Sequence, residues 1–226
     1  MRIIGVIPAY NEASRVAETL RRCLQFVDQI VLVDDGSTDQ TSSVASMDLV
    51  TVLRHRINRG QGAALRTGTQ AALNLGADII VHLDADGQHD PSELPRLIQL
   101  IKDNQADVVL GSRFMDIQPS GMPFFRFLLL KAGRQFNTFA LGIPHTLTDP
   151  QSGLRVMTSA AARKLQFTQD GMAHASELLR LITRSNLRWL EAPIHVKYTV
   201  DSLNKGQKPW NAFSIAWQLF ISVFTG

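Results

Sequence analysis

The sequence has one cysteine, Cys23, among 226 residues, which excludes an intrachain disulfide and fits a reducing compartment. It has no run of five or six basic residues to track a phosphate backbone. With a formal net charge of only +3, the pI near 9.3 is no sign of nucleic-acid binding. No apolar stretch reaches the roughly 20 residues of a spanning helix. "FFRFLLL" (124–130) is cut by Arg126 and followed by Lys131 and Arg134. The segment 210–226 has no charged side chain but is too short. It reads as an interfacial helix, with Trp210 and Trp217 at headgroup level, or as a helix packed on the core or a partner. The start, "MRIIGVIPAYNE", turns polar too early for a signal peptide and reads as a strand. Linkers, repeats and low-complexity segments are also lacking, so a single domain is expected.

What is present is an alternation. Short apolar, β-branched runs (2–7, 29–35, 50–55, 77–86 and 106–114) are separated by helical patterns at 14–27, 37–46, 60–76 and 91–104. Ser14 and Glu18 lie near the first helix start, Gly76 is a natural stop, and Pro91 suits a first turn. Later patterns give a helix near 173–185 and strands "LRWLEA" and "IHVKYT". Continuous apolar strands between helices predict an α/β fold with a mainly parallel sheet covered on both faces. Ligands in such sheets bind at the carboxyl ends of the strands.

The unusual residues sit at those ends. After the fourth strand comes "DADGQHD" (84–90). Carboxylates so close repel one another unless a cation sits among them. Asp84 and Asp86, with Gly87 permitting the turn and Gln88 adding a neutral oxygen, suit Mg²⁺ or Mn²⁺. A solvated Asp/Gly turn is the bland alternative, and zinc lacks a second His or Cys near His89. "VDDGSTD" puts Asp34 and Asp35 where a carboxylate can accept from a base or ribose, with Ser37 or Thr38 as a helix cap. In "IPAYNE", Pro8 and Tyr10 offer a flat apolar wall and Glu12 an acceptor. "NRGQGAALRTG" (58–68) lacks a phosphate-loop pattern and reads better as close helix–sheet packing. "GSRF" ends the fifth strand with Arg113, a natural phosphate partner. Arg126 beside apolar side chains suits a ligand with a charged head and an apolar tail.

Together "IPAYNE", "VDDGSTD", "LDADGQHDP", "GSRF" and "TDPQSGLRVM" resemble the family 2 glycosyltransferases of the GT-A fold. Among these the chain is most similar to polyprenyl- and dolichyl-phosphate sugar transferases of the dolichol-phosphate mannosyltransferase type, over about residues 2–200. The resemblance implies that Pro8, Tyr10, Glu12, Val33, Asp35, Asp84, Ala85 and Asp86 meet the nucleotide-sugar, with Arg113 and Lys205. It implies Asp86 and Gln88 on the metal, with Asp84 a further candidate, and Arg113 and Arg126 on phosphate groups. One departure is visible: in "KYTVDSLNKGQKPW" (197–210) Lys205 keeps the place of a lysine, but Thr199 stands in the place of an arginine.

The expected reaction is inverting, metal-dependent transfer of a hexose from GDP-mannose or UDP-glucose to a lipid phosphate. A phosphate monoester, with second pKa about 6, needs no general base, and Asp149, Gln151 and Ser152 then act as positioning groups. A sugar or glycan hydroxyl needs one, with Asp149 or Glu177 as candidates. A nucleotidyltransferase is the alternative from another class. Residues 1–208 are read as the catalytic domain and 209–226 as an apolar helix. That helix rests on the cytoplasmic face of a membrane or docks on a small membrane-protein partner.

Overall fold

The structure is a computed structural model that describes residues 1–115, 144, 147–150 and 152–196. Arg126, Lys131, Arg134, Gln151, Thr199, Lys205 and the segment 210–226 lie outside the described residues.

Seven strands form one sheet: β1 (Ile3–Ala9), β2 (Gln29–Asp34), β3 (Val50–Arg54), β4 (Ile79–His82), β5 (Val108–Ser112), β6 (Arg155–Thr158) and β7 (Trp189–Pro193). Their order is β3-β2-β1-β4-β6-β5-β7. Every pairing is parallel except those of β6, which runs against β4 and β5. The expected mainly parallel sheet is present, with one inverted strand inside it, next to the central β4, that periodicity did not reveal. Inversion matters for the site. It brings the start of β6, and the loop before it, to the carboxyl ends of the other six strands.

All seven residues of β1 are buried, as a strand covered on both faces requires. Ile4 and Val6 face a cluster with Ala64, Leu65 and Ala72 of α3 (Gln61–Asn74) and Leu178, Leu179 and Ile182 of α6 (His174–Arg184). Ile3 and Ile7 face the other cluster, with Val16 and Leu20 of α1 (Val16–Cys23) and Leu97 and Ile98 of α4 (Leu94–Lys102). At Gly68 a β-carbon would lie 2.4 Å from a methyl of Val6, so a glycine lets α3 press onto β1. The remaining α-helices among the described residues are short: α2 (Thr41–Val44) and α5 (Ser159–Lys164).

Several elements are shorter than expected, α1 ending at Cys23 rather than 27 and β4 at His82 rather than 86. The helix expected from residue 14 starts at Val16, with Arg15 in the cap position and no side-chain cap bond. Neither Ser37 nor Thr38 caps α2, whose cap residue is Gln40; both are drawn into loop contacts described below. Pro91 does open a helical turn, with the Asp90 side chain accepting from the Ser92 amide. Gly76, at φ +79, follows α3. Among the described residues no helix is long and apolar enough to cross a membrane.

Candidate active site

The loops after β1 and β2 are laced together. Asn11 takes a positive φ of 54°. Its amide donates to Ser37 Oγ at 2.9 Å, and its side-chain oxygen accepts from the Thr38 amide at 2.9 Å. The Glu12 amide donates to Thr41 Oγ1 at 2.9 Å. Tyr10 is exposed beside this junction and Pro8 is buried in β1. Val33 is buried at the end of β2. Asp35 is buried and highly engaged: Oδ1 accepts from His55 Nδ1 at 2.7 Å and the Arg59 amide at 3.0 Å, and Oδ2 from the Gly60 amide at 2.6 Å. In the segment 58–68, the Arg59 and Gly60 amides thus hold a carboxylate. Gly60 makes this turn at φ +107, where a β-carbon would meet the Asp170 carbonyl at 2.5 Å.

The loop after β4 divides its two aspartates. Asp84 is enclosed. Oδ1 accepts from Gln61 Nε2 at 2.7 Å, and Oδ2 lies 3.7 Å from His89 Nε2. A β-carbon on Gly153 would fall 2.2 Å from Oδ2, so only a glycine lets the loop before β6 cover this carboxylate. Burial pushes the Asp84 carboxyl up, but His89 and the charges of Arg155 and His174 outweigh it and hold the group below its usual range. Asp86 is the reverse case. Burial, then the charges of Asp84 and Glu12, raise it above that range. Among the described residues its carboxylate accepts only the Gln88 amide, at 2.9 Å, and no ion pair reaches it. Ala85 between them is buried and its carbonyl accepts from Thr19 Oγ1 at 3.2 Å.

A carboxylate short of positive charge, beside two others, fits a divalent cation with oxygen ligands. Among the described residues no three acidic, imidazole or thiol groups converge into a full cage. Asp86 would fit such a cation as one ligand among several, the rest being neutral oxygens, phosphate oxygens and water, as Mg²⁺ and Mn²⁺ allow.

Across the sheet, Arg113 follows β5 and meets Asp149 from the loop before β6. Arg113 Nε donates to Oδ2 at 2.6 Å, Nη2 to Oδ1 at 2.7 Å, and the Arg113 amide to Oδ2 at 3.0 Å. This two-pronged pair is buried on the carboxylate side, the geometry in which an arginine is held most firmly. Arg155, buried at the start of β6, interacts through its charge with both Asp84 and Asp149.

The sequence matches the family model described as Glycosyl transferase family 2 over residues 6–146. The chain belongs to glycosyltransferase family 2. It is 32% identical to a UDP-N-acetylglucosamine–dolichyl-phosphate N-acetylglucosaminyltransferase of Methanococcus voltae, over 96% of this chain and 94% of that protein. It is 31% identical to an undecaprenyl-phosphate mannosyltransferase of Micrococcus luteus, over 86% and 83%. In fold it is similar to glucosyl-3-phosphoglycerate synthase of Mycobacterium tuberculosis, solved in complex with Mn²⁺, uridine diphosphate and glucosyl-3-phosphoglycerate. That likeness has a TM-score of 0.75 at 18% identity and covers 99% of this chain and 78% of that one. The fold is GT-A, as expected, and the protein is a glycosyltransferase; the nucleotidyltransferase alternative falls with that finding.

Of the residues singled out in this glycosyltransferase's sequence, Pro8, Tyr10, Glu12, Val33, Asp35, Asp84, Ala85, Asp86, Gln88, Arg113 and Asp149 all lie at or beside the carboxyl edge of the sheet. Glu177 is otherwise occupied. On α6 it accepts the Thr168 amide at 2.9 Å, the Thr168 hydroxyl at 3.0 Å and the Gln169 amide at 2.8 Å. Sequence reasoning missed His55, Gln61 and Arg155. Gln61 stood in the segment set aside as packing, and nothing local marks the other two: His55 meets Asp35, 20 residues before it, and the charge of Arg155 reaches back to Asp84.

Proposed function

We propose that this glycosyltransferase transfers a hexose from a nucleotide-sugar, GDP-mannose or UDP-glucose, to a polyprenyl or dolichyl phosphate, with inversion and with Mg²⁺ or Mn²⁺. The observation that carries the choice of acceptor is the engagement of Asp149 by Arg113. A sugar hydroxyl must lose a proton to a base as it attacks. Both carboxylates considered for that task are committed, Asp149 to a guanidinium and Glu177 to two amides and a hydroxyl. A phosphate monoester is already largely ionised at neutral pH and needs no such group. The names of the two relatives, both lipid-phosphate sugar transferases, support the same reading.

In this reading Pro8, Tyr10, Glu12, Val33 and Asp35 bind the nucleoside, and Asp84 and Ala85 face the donor's sugar-phosphate. Asp86 and Gln88 hold the cation, which when bound offsets charge on the departing diphosphate. Arg113, held rigid by Asp149, stabilises the reacting phosphates more strongly in the transition state than before it. By the resemblance, Arg126 is assigned to phosphate groups and Lys205 to the nucleotide-sugar. Residues 1–208 form the catalytic unit, and 209–226 an apolar helix that seats it on the cytoplasmic face of a membrane or on a small membrane protein.

The test is transfer of labelled sugar from GDP-mannose, UDP-glucose and related donors to polyprenyl phosphate, with Mn²⁺ or Mg²⁺. A lipid-linked product that disappears with EDTA is expected. Donor hydrolysis without a lipid product, together with glycosylation of a sugar acceptor, would overturn the assignment.

A further inference from the structure

Glu191 has no part in the reading above, yet its contacts end at Arg113. It stands on β7, in register with Leu110 of β5, so β5 carries Arg113 out of the sheet beside it. Its side chain is partly buried and takes both main-chain amides of the loop that bears Asp149. The Thr148 amide donates to Oε1 at 3.0 Å and to Oε2 at 2.8 Å, and the Asp149 amide to Oε1 at 3.0 Å. The Thr148 hydroxyl adds a bond to Oε1 at 3.1 Å and lies 2.5 Å from Ser112 Oγ. Ser112 Oγ in turn accepts the Phe114 amide at 3.2 Å. The residues on either side of Arg113 are thus tied to the same loop.

These bonds form a chain with a direction. Two successive amides aimed at one carboxylate fix the two peptide planes, and with them the exit direction of the Asp149 side chain. That carboxylate then fixes Arg113 through three bonds, one to its amide and two to its guanidinium. No other side chain among the described residues accepts the Thr148 or Asp149 amide. A buried amide that loses its acceptor turns to find another, and the loop moves with it.

We propose that Glu191 is a positioning residue for transfer: through the Thr148 and Asp149 amides it holds the Asp149 carboxylate where it aims Arg113 at the reacting phosphates. The inference rests on the role given to Arg113 above. Glu191 itself touches no substrate. A glutamine in its place keeps one acceptor oxygen but turns an amino group toward the loop amides, so it should loosen the loop without leaving a cavity.

The experiment is a double-mutant cycle with Glu191→Gln and Arg113→Lys, read as kcat and donor KM for lipid-phosphate transfer. Glu191→Gln is expected to lower kcat about tenfold or more with donor KM changed less than about twofold. In the Arg113→Lys background the same change should cost less than about twofold, because the residue it acts through is already misplaced. An equal loss in both backgrounds, or a loss carried by donor KM, would overturn the proposal. Should Glu191→Gln not fold, Thr148→Val, which removes one donor to Glu191, enters the same cycle. Hydrogen exchange gives a second readout that needs no reaction. The Thr148, Asp149 and Arg113 amides should all exchange faster in the variant, and an unchanged Arg113 amide sinks the relay. If the wild-type enzyme yields no lipid product, the acceptor assignment fails by itself, and the exchange result decides the role of Glu191.

Discussion

His55 donates from Nδ1 to Asp35 Oδ1 at 2.7 Å, and Thr67 Oγ1 lies 3.0 Å from its other ring nitrogen. A carboxylate only accepts, so Nδ1 carries a proton, while Thr67 Oγ1 steadies the other edge of the ring. The end of β3 therefore orients the carboxylate at the end of β2 that is assigned to the nucleoside. His55→Ala is expected to weaken donor binding about tenfold, the loss of one hydrogen bond to a charged group at about 1.5 kcal/mol. Titration calorimetry with the donor nucleoside diphosphate measures it. Unchanged affinity would remove Asp35 from the donor pocket or His55 from its support.

The fold was readable because its strands are short, apolar and β-branched, and because helical patterns of the right length separate them. The failure at β6 has a physical reason. Arg155–Thr158 is four residues long, begins with a buried arginine and follows a loop rich in turn residues, so neither period nor composition marks it. Its direction is a matter of pairing partners, which no local pattern encodes. The site was readable where a polar cluster interrupts an apolar strand end, as at 84–90. It was not readable where a residue acts through a distant partner. Glu191 lies 42 residues from Asp149 and Gln61 lies 23 from Asp84, and each looks like an ordinary polar side chain in its own neighbourhood. The same holds for Asp149, whose opposed readings as base or positioning group separate only once Arg113 is seen beside it.

Asp86 pits function against stability. Burial and the charges of Asp84 and Glu12 raise its carboxyl above the ordinary range, so its ionised form is disfavoured in the fold at neutral pH and is relieved as pH falls through the raised value. Asp86→Asn should thus fold with a melting temperature equal to or above the wild type when no metal is added. Transfer should fall at least about a hundredfold, as for loss of a group that stabilises transition-state charge. Melts with Mn²⁺ and a nucleoside diphosphate should stabilise the wild type and not the variant. Equal stabilisation of both would place the cation elsewhere.

His174 predicts an acid-labile core. Burial, and next the charge of Arg155, lower it from 6.5 to about 4, and its Nδ1 donates to the Gly171 carbonyl at 2.8 Å. The unfolded chain therefore takes up a proton that the fold refuses. The stability contributed by a neutral His174 is complete above pH 6.5 and is lost as pH falls toward 4. Its full extent is on the order of 3 kcal/mol. His82, lowered to about 3 by burial and then by Arg155, adds in the same sense. His174→Leu should cost about 1 kcal/mol at pH 7.5 for the lost hydrogen bond, yet narrow the gap between pH 7.5 and pH 5 by about 2 kcal/mol. Urea midpoints at the two pH values measure both numbers, and an unaltered gap would mean that the fold accepts the proton.

Asp149→Asn separates the two acceptor classes by the shape of a curve rather than its height. The asparagine keeps one acceptor for Arg113 but loses the charge that makes the pair two-pronged, so kcat should fall about a hundredfold as the guanidinium loses its pose. If the acceptor is a phosphate, no proton leaves it during attack. The pH–rate profiles of wild type and variant should then be parallel, both declining below about pH 6 as the acceptor itself takes a proton. If Asp149 were instead the base for a hydroxyl, the wild type would show an acid limb set by that carboxylate, and the limb would vanish in the variant. Parallel curves place Asp149 in the support of Arg113. A vanished limb returns it to the proton, and the hydroxyl acceptor with it.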